Sequence, residues 1–354
     1  MTDGRMGFGI VGCGLVSQFH GAAIMNSQRA ELVAATDLDD ARLSKFVADY
    51  GGEKAESFDA VLADDRIDVV NILTPNAMHA DFAVPALKAG KHVIVEKPPE
   101  MRLDRTDEMI AAAEENDRKL AICLQVRFRE SIRAIKSAIE QGRFGKLLEG
   151  DAYMKWFRDT SYYLMDDWRS KRESGAGVTI QHAFHYIDLL HHLLGPVAVV
   201  DARMTNLAHP DVALEDTLKA FLYFENGAEG LVEASTALWP GRPPRIEVNG
   251  ENGTAITEGE LVLAWDFRDE QPEDEEILQI GRGTVAAGGT GAADLSYEEH
   301  MWLIDDMVDA IEEDRDPYIT AKNARHTLEI ALAMYKSADV GEPVELPLPA
   351  DTQI

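Results

Sequence analysis

Residues 6–17 read MGFGIVGCGLVS, and residues 31–37 read ELVAATD. The apolar run 6–11 predicts a buried strand, residues from about 15 to 27 have helical spacing, and 31–37 predicts a second strand. A strand, a glycine turn, a helix and a second strand in this order are typical of a dinucleotide-binding unit. The start of the chain therefore predicts a Rossmann-type α/β fold.

The glycine turn contains Gly12 and Gly14, and Leu15 and Val16 follow at the start of the helix. Gly12 permits the tight turn, and Gly14 lets the backbone approach a pyrophosphate, which meets the N–H groups of the helix start. Ser17 stands where a third Gly or Ala is usual and is small enough for close packing. These positions predict contacts to the cofactor phosphates.

An acidic residue, Asp37, ends the second strand. Its carboxylate is placed to accept hydrogen bonds from the adenosine ribose hydroxyls and would repel a 2′-phosphate. We therefore expect NAD as the cofactor and NADP as the less favoured alternative. Arg42 leaves that alternative open, because its guanidinium could stack on adenine or reach a phosphate.

Strands and helices continue to alternate as far as residue 126, which indicates a parallel, doubly wound sheet. Helical spacing covers 39–50, 78–89 and 104–116, and strand-like runs cover 68–74, 92–98 and 120–126. Polar residues follow two of these strands at the edge where open α/β sheets bind ligands. We expect the following to contact the cofactor: Thr74, Asn76, His79, Glu96 and Lys97.

Residues 92–98 read HVIVEKP. The β-branched run predicts a strand that is buried on both faces, and Pro98 ends the pairing because it has no N–H to donate. Lys97 is then at the carboxyl end of the strand, in the predicted cleft. The alternative is a surface lysine at the end of an ordinary strand.

From residue 127 strands follow one another without intervening helices, which indicates a second, α+β domain with a largely antiparallel sheet. We predict a domain of residues 1–126 for NAD and one of 127–354 for substrate binding and oligomerisation. The expected elements are helices at 130–141, 181–194, 295–313 and 321–337, strands at 148–157, 197–207, 217–224, 228–237, 245–249 and 261–267, and a mobile loop at 268–293.

A second polar group lies in QHAFHYID, residues 181–188. At helical spacing His182, His185 and Asp188 share one face. Asp188 either fixes a tautomer of His185 or binds an unrelated group. A histidine can take a proton from a hydroxyl near neutral pH. A zinc site is disfavoured because further ligands are missing, and we expect no metal.

Composition limits the partners. The 354 residues carry a net charge of −29, which disfavours nucleic acids and anionic membranes as partners. Molar salt, with a Debye length of about 3 Å, would screen the self-repulsion of this charge. We therefore interpret the surface as salt-adapted and expect a halophilic source, with an acidic mesophilic enzyme as the alternative. Two cysteines and no signal-peptide pattern predict a reducing, cytoplasmic location.

With these motifs in place, the chain resembles the glucose–fructose oxidoreductase, inositol dehydrogenase and rhizopine-catabolism (Gfo/Idh/MocA) family. The resemblance rests on GIVGCG at 9–14, TPNAMHADFAVPALKAGKHVIVEKP at 74–98, GAGVTIQHAFHYIDLLHHLLG at 175–195 and SYEEHMWLIDDMVDAIEEDRDP at 296–317. It implies an NAD domain, a sugar-binding domain, and a homodimer or homotetramer formed through the open sheet of the second domain.

The resemblance makes Lys97 the active-site lysine and His185 the acid/base. Many members have Asp where this chain has Gln181, and some members that act on nucleotide-linked amino sugars have an amide near that position. VALED at 212–216 and GRPPRIEVNGENGT at 241–254 are similar to the same group. Residues whose chemistry suits a sugar or a phosphate are Arg127, Trp168, Arg169 and His182.

The chemistry of these residues suits oxidation of a secondary hydroxyl on a sugar, a sugar derivative or a nucleotide sugar. NAD accepts the hydride, His185 accepts the proton, and Lys97 stabilises the developing alkoxide. Two other hypotheses remain: an enzyme that retains and cycles its NAD, as a sugar–sugar oxidoreductase or an oxidative glycosidase, and a non-catalytic sensor of dinucleotide or sugar. The retention of Lys97 and His185 argues against the sensor, whereas Gln181 favours it.

Overall fold

A computed structural model describes residues 4–174, 177–282 and 296–353. The chain forms two compact units. The first comprises the described residues up to Gln125 together with Ser296–Arg325. The second comprises the described residues from Val126 to Arg282 and from His326 onward. The chain thus leaves the first unit and later returns to it.

The elements are numbered along the chain. The strands are β1 Met6–Val11, β2 Ala30–Thr36, β3 Glu53–Lys54, β4 Val69–Ile72, β5 His92–Val95, β6 Leu120–Ile122, β7 Leu147–Lys155, β8 Val197–Thr205, β9 Thr217–Phe224, β10 Glu229–Ser235, β11 Arg245–Gly250, β12 Gly253–Glu258, β13 Leu261–Phe267 and β14 Val344–Glu345. The helices are α1 Ser17–Asn26, α2 Asp40–Tyr50, α3 Phe58–Ala63, α4 His79–Lys88, α5 Leu103–Glu115, α6 Glu130–Glu140, α7 Thr160–Tyr163, α8 Phe184–Leu194, α9 Asp274–Ile277, α10 Glu298–Glu312 and α11 Ala321–Val340.

The first unit contains a six-stranded sheet in the order β3-β2-β1-β4-β5-β6, and every neighbouring pair is parallel. Residues Val93, Ile94 and Val95 of β5 are completely buried, as expected for a strand that is covered on both faces. The predicted doubly wound sheet is confirmed. Because all strands are parallel, the residues that follow β1, β4 and β5 meet at one edge.

The second unit contains an eight-stranded sheet in the order β13-β12-β11-β7-β10-β9-β8-β14. Its pairs are antiparallel except β7 with β10, so the predicted largely antiparallel sheet is confirmed. The predicted hairpin at Asn226-Gly227 joins β9 to β10, and Gly227 takes a left-handed φ of 83°. The strand β12 was not predicted.

Helix α10 packs with the first unit although it follows most of the second unit in sequence. Ser27, just after α1, donates from its hydroxyl to Asp305 on α10 at 2.7 Å, and Arg29 pairs with Glu312 at 2.7 Å. No local pattern in the sequence predicted this return. The functional division into 1–126 and 127–354 stays a prediction.

The segment 268–293, predicted as a mobile loop, contains the short helix α9. Asp274 at its start pairs with Arg143 at 2.7 Å and accepts from the indole N–H of Trp265 at 2.7 Å. These bonds anchor the segment, and the remainder, 283–293, lies outside the described residues. No helix in the described part of the chain has the length and apolar character needed to cross a membrane.

Candidate active site

The glycine turn after β1 needs a glycine at its first position. Gly12 has a φ of 98°, and a Cβ there would lie 2.8 Å from the carbonyl oxygen of Leu73. Its N–H donates to Thr36 at 2.9 Å, which ties the turn to β2. A Cβ on Gly14, in contrast, would meet no atom within 4 Å. The backbone at Gly14 therefore faces open space, as a phosphate cradle requires.

Asp37 is fixed beside this turn. Its carboxylate accepts from the backbone N–H of Cys13 at 2.6 Å and from that of Asp39 at 2.7 Å. Burial and the nearby charge of Asp37 raise the pKa of the Cys13 thiol to about 12. Nε of Arg42, on α2, lies 3.5 Å from the carboxylate of Asp39, the residue before α2, and both side chains are exposed. The role of Asp37 as a ligand of the adenosine ribose stays a prediction.

Three of the predicted cofactor residues, Thr74, Asn76 and His79, follow β4 in the first unit. The hydroxyl of Thr74 is buried and has no hydrogen-bond partner among the described residues. It is therefore available for a hydrogen bond with a bound ligand. Asn76 is buried in a 3₁₀ turn, Asn76–Met78. His79 is completely buried, with Nδ1 2.8 Å from the carbonyl oxygen of Pro98 and Nε2 3.0 Å from that of Thr74.

His79 therefore connects the loop after β4 to the loop after β5. Burial lowers the pKa of its imidazole, and this effect outweighs the hydrogen bonds with the carbonyl groups of Pro98 and Thr74, which act to raise the pKa. Its predicted contact with the cofactor stays a prediction, because both ring nitrogens face protein carbonyls. Leu15 is 38% exposed beside the glycine turn, and Val16 precedes α1.

Lys97 follows β5 directly, and its backbone N–H donates to the carboxylate of its neighbour Glu96 at 3.0 Å. The other carboxylate oxygen of Glu96 lies 3.0 Å from Nε2 of His20, a residue of α1. Burial acts to raise the pKa of Glu96, but the hydrogen bond from His20 and the charge of Lys97 hold it well below its usual range. Glu96 is therefore a buried carboxylate that stays ionised.

In the second unit, the helix predicted from residue 181 begins as a π-helical turn, Thr179–Ala183. Such turns are frequent at functional sites. Gln181 lies in this turn, donates to the backbone oxygen of Arg169 at 3.0 Å, and accepts from the hydroxyl of Tyr162 at 3.2 Å. The carboxamide therefore holds the 158–174 loop against the turn.

Near Gln181, in the second unit, two arginine side chains stack on aromatic rings. Arg169 lies over Trp168 at 4.5 Å and over Tyr162 at 5.2 Å. Arg158 lies over Trp156 at 5.0 Å and also over Tyr162. The ring of His182 is 5.7 Å from Trp156 and 5.2 Å from Tyr162. We call these six residues and Gln181 the aromatic–arginine cluster.

Burial raises the pKa of Tyr162, against the two neighbouring arginines, so its hydroxyl stays protonated at neutral pH and can donate. Three of the predicted substrate residues, Trp168, Arg169 and His182, belong to this cluster. Trp156 and Arg158 were missed, although WFRD at 156–159 alternates aromatic and charged residues immediately after a strand.

Arg127, also a predicted substrate residue, lies elsewhere. Its guanidinium forms two hydrogen bonds, at 2.7 and 2.6 Å, with the carboxylate of Asp188, which also accepts from Thr327 at 2.7 Å. Arg127 is 2% and Asp188 1% exposed. This placement favours a structural role for the pair, and Arg127 as a substrate contact stays a prediction. Half-buried His185 lies one turn before Asp188 on α8.

The first unit fits a dinucleotide. The open space at Gly14, the fixed carboxylate of Asp37 and the unsatisfied hydroxyl of Thr74 all lie after neighbouring parallel strands. Two family models match the chain: "Oxidoreductase family, NAD-binding Rossmann fold" over residues 6–123, and "GFO/IDH/MocA C-terminal domain" over residues 132–256.

The chain belongs to the GFO/IDH/MocA oxidoreductase family. It is an NAD-binding oxidoreductase, as the sequence predicted.

Individual members of the family support this assignment. The WlbA dehydrogenase from Bordetella pertussis, solved with NADH and UDP-GlcNAcA, is 31% identical, with a TM-score of 0.88 over 99% of this chain and 100% of the other. The WlbA enzyme from Chromobacterium violaceum, solved with the same ligands, is 30% identical, with a TM-score of 0.87 over 99% and 98%. Inositol 2-dehydrogenase from Rhizobium meliloti is 29% identical over 72% of this chain and 76% of its own length.

Proposed function

We propose that this chain oxidises a secondary hydroxyl of a nucleotide-linked sugar acid, with NAD as the oxidant. The observation that carries the proposal is the aromatic–arginine cluster, in which Arg158 and Arg169 each lie over aromatic rings. Aromatic faces suit the C–H surfaces of sugars, and guanidinium forks suit carboxylates and phosphates. The likeness to two WlbA enzymes solved with UDP-GlcNAcA supports the same substrate class.

The catalytic roles follow from the residue types. The ammonium group of Lys97 stabilises negative charge on the substrate oxygen, and the imidazole of His185 accepts the hydroxyl proton. Gln181 orients the substrate through its carboxamide and holds Arg169 by its backbone. NAD, held by the glycine turn, Asp37 and Thr74, supplies the hydride acceptor.

The experiment is an absorbance assay of NADH formation in molar KCl. The panel contains UDP-N-acetylglucosaminuronic acid, UDP-N-acetylglucosamine, free sugars, polyols and sugar acids. Turnover that requires both the nucleotide and the carboxylate supports the proposal. Turnover of a free polyol alone contradicts the substrate class. A bound cofactor that stays with the protein and cycles without net NADH supports the cofactor-retaining alternative instead.

Asp37 is expected to decide between the two cofactors. Asp37→Asn keeps an oxygen for the N–H of Cys13 but removes the charge, so NADP should bind about tenfold more tightly relative to NAD, the equivalent of about 1.4 kcal/mol. Calorimetric titration with both cofactors measures the ratio. Asp40→Asn, which alters an exposed carboxylate on α2, is the matched control. An unchanged ratio in Asp37→Asn would remove Asp37 from the cofactor site.

We also propose that the chain forms a homodimer or homotetramer through the open face of the eight-stranded sheet. On β9 the side chains alternate, so that Leu218, Ala220 and Leu222 are fully buried while Phe221 and Tyr223 are 56% and 39% exposed. Neighbouring exposed aromatic residues on one face of a sheet are a feature of interaction surfaces.

Phe221→Glu should therefore dissociate the assembly, because it places a charge at the centre of an apolar interface. Light scattering after gel filtration should give the mass of a single chain. Met25→Glu, which changes an equally exposed apolar residue on α1 of the first unit, is the control and should keep the wild-type mass. A wild-type protein that is already monomeric would contradict the proposal.

The salt-adapted surface remains a proposal about the environment of the protein. With a net charge of −29, self-repulsion should fall as salt is added, and the thermal midpoint should rise steadily from dilute buffer to molar KCl. Sorbitol at equal osmolality is the control. It is uncharged, so it separates the screening of charge by KCl from the general stabilisation by solutes that are excluded from the protein surface. A midpoint that is independent of KCl would favour an ordinary acidic enzyme.

A further inference from the structure

A continuous chain of hydrogen bonds lies behind Lys97 in the first unit. Nδ2 of Asn71, on β4, lies 3.0 Å from Nδ1 of His20, on α1. Nε2 of His20 lies 3.0 Å from Oε1 of Glu96, and Oε2 of Glu96 accepts from the backbone N–H of Lys97 at 3.0 Å. His20 and Asn71 are completely buried, and Glu96 is 7% exposed.

The direction of the chain is determined by its ends. The amide nitrogen of Asn71 can only donate, so Nδ1 of His20 accepts and carries no proton. The ring proton is then on Nε2, from which it is donated to the carboxylate of Glu96. Nδ1 of His20 is therefore the acceptor atom in this chain and Nε2 the donor atom.

The other groups that face this chain are neutral. The thiol of Cys123 lies 3.9 Å from Nε2 of His20, and burial raises its pKa well above its usual range. His300, on α10, lies 4.0 Å from Glu96, and burial lowers the pKa of its imidazole to about 3. The charges that remain are the carboxylate of Glu96 and the ammonium group of Lys97, whose charge acts on Glu96.

We propose that His20 is a positioning residue for Lys97, which it holds through Glu96 and with Asn71 as its anchor. The proposal rests on the role of Lys97 proposed above. The N–H of His20 fixes one carboxylate oxygen, so that the other stays directed at the backbone of Lys97. The turn after β5 then presents the lysine in one conformation, and this preorganisation supports the reaction.

Two members of the chain, together with Cys123 and His300, offer a different possibility. His20, Glu96, Cys123 and His300 place one ligand atom each within 4.8 Å of one another, a set that could hold a transition metal. A metal would bind the lone pair of Nε2 on His20. In the hydrogen-bonded arrangement Nε2 carries a proton, which it donates to Glu96, so that lone pair is not available. The two arrangements therefore differ in the tautomer of His20.

The test compares His20→Gln, which keeps an N–H donor near the Nε2 position, with His20→Phe, which keeps the ring shape alone. Hydrogen exchange measured by mass spectrometry follows the N–H of Lys97 in the protein without added ligands. We expect exchange about tenfold faster in His20→Phe and close to wild type in His20→Gln. Cys123→Ala, which lies beside the chain without being part of it, is the control and should behave as wild type.

Kinetics with the substrate identified by the panel separates positioning from folding. In His20→Phe, kcat should fall about tenfold to a hundredfold while KM stays within about threefold, and the acidic limb of the kcat–pH profile should move to higher pH because Glu96 has lost its donor. His20→Gln should recover most of kcat. Equal exchange and equal kcat in both variants would overturn the proposal.

Two further outcomes distinguish the positioning role of His20 from a metal site and from failure of the proposed function. One equivalent of zinc that a chelator removes, with nitrogen-15 spectra that show His20 protonated on Nδ1, would overturn the proposal in favour of a metal site. Faster exchange in His20→Phe in a protein that oxidises no sugar would support the positioning chain while the proposed function itself fails.

Discussion

Replacing Lys97 with methionine is expected to lower kcat by about 10²–10⁴-fold, the usual contribution of one positioned acid, base or charged group. Methionine keeps an unbranched chain of similar length, so the change removes the ammonium group and little else. In the role proposed for Lys97, this removes the positive charge that stabilises the developing alkoxide on the substrate. KM should change far less than kcat, because the charge acts mainly in the transition state.

Lys88→Met, on the exposed end of α4, is the matched control and should leave kcat unchanged. Calorimetric titration should show that NAD binds Lys97→Met within a few-fold of wild type, since the glycine turn and Asp37 are intact. Wild-type turnover in Lys97→Met would mean that the lysine only ends a strand, the alternative that the sequence left open.

The largest effect on stability is expected at the buried pair of the second unit. Asp188→Asn leaves the guanidinium of Arg127 buried without a counter-charge, so the free energy of unfolding should fall by about 3–5 kcal/mol. Chemical denaturation measures this change. The double variant Arg127→Met with Asp188→Leu should recover much of the loss, since an apolar pair of similar volume removes both buried charges.

The exposed pair Arg172–Asp339 provides the control, because Asp339→Asn should cost at most about 1 kcal/mol. The pH dependence has a definite sign. Burial acts to raise the pKa of Asp188, but Arg127 and Thr327 outweigh it and hold the pKa below its usual value. The contribution of the pair is therefore complete above the unfolded-state pKa of about 3.9 and is lost as the pH falls through the lower, folded-state value. Equal losses in Asp188→Asn and Asp339→Asn would contradict this account.

Local patterns were sufficient to predict the first sheet. The alternation of strands and helices, the positive φ required at Gly12 and the apolar run before Lys97 each depend on neighbours in sequence. The same holds for the hairpin at Asn226-Gly227. Such features can be recognised because the backbone imposes them within a few residues.

Features that depend on distant contacts were not predicted. The return of α10 to the first unit rests on bonds such as that of Ser27 with Asp305, which no local pattern reports. The spacing of His182, His185 and Asp188 suggested one α-helical face, but the π-helical turn before α8 changes the register, and Asp188 pairs with Arg127.

The chain from Asn71 to Lys97 was missed for the same reason. His20, which faces the core from α1, has no spacing that identifies it as a partner of Glu96. A buried histidine in a helix is usually structural, and only the three-dimensional arrangement connects it to the lysine. The cytoplasmic location stays a prediction. The acidic adaptation and the oligomeric state also stay predictions, which the KCl series and the light-scattering measurement above address.

Hydride transfer from the sugar to NAD is tested by following the hydrogen that leaves the sugar. The protein is mixed with NAD and with the nucleotide sugar that the panel identifies, deuterated at every ring carbon of the sugar. The cofactor is then extracted, and its mass is measured by mass spectrometry. We expect the reduced cofactor to gain one deuterium from the sugar in the wild type and, at a far lower rate, in Lys97→Met. Product formation without deuterium in the cofactor, or no reaction with any nucleotide sugar, would contradict it.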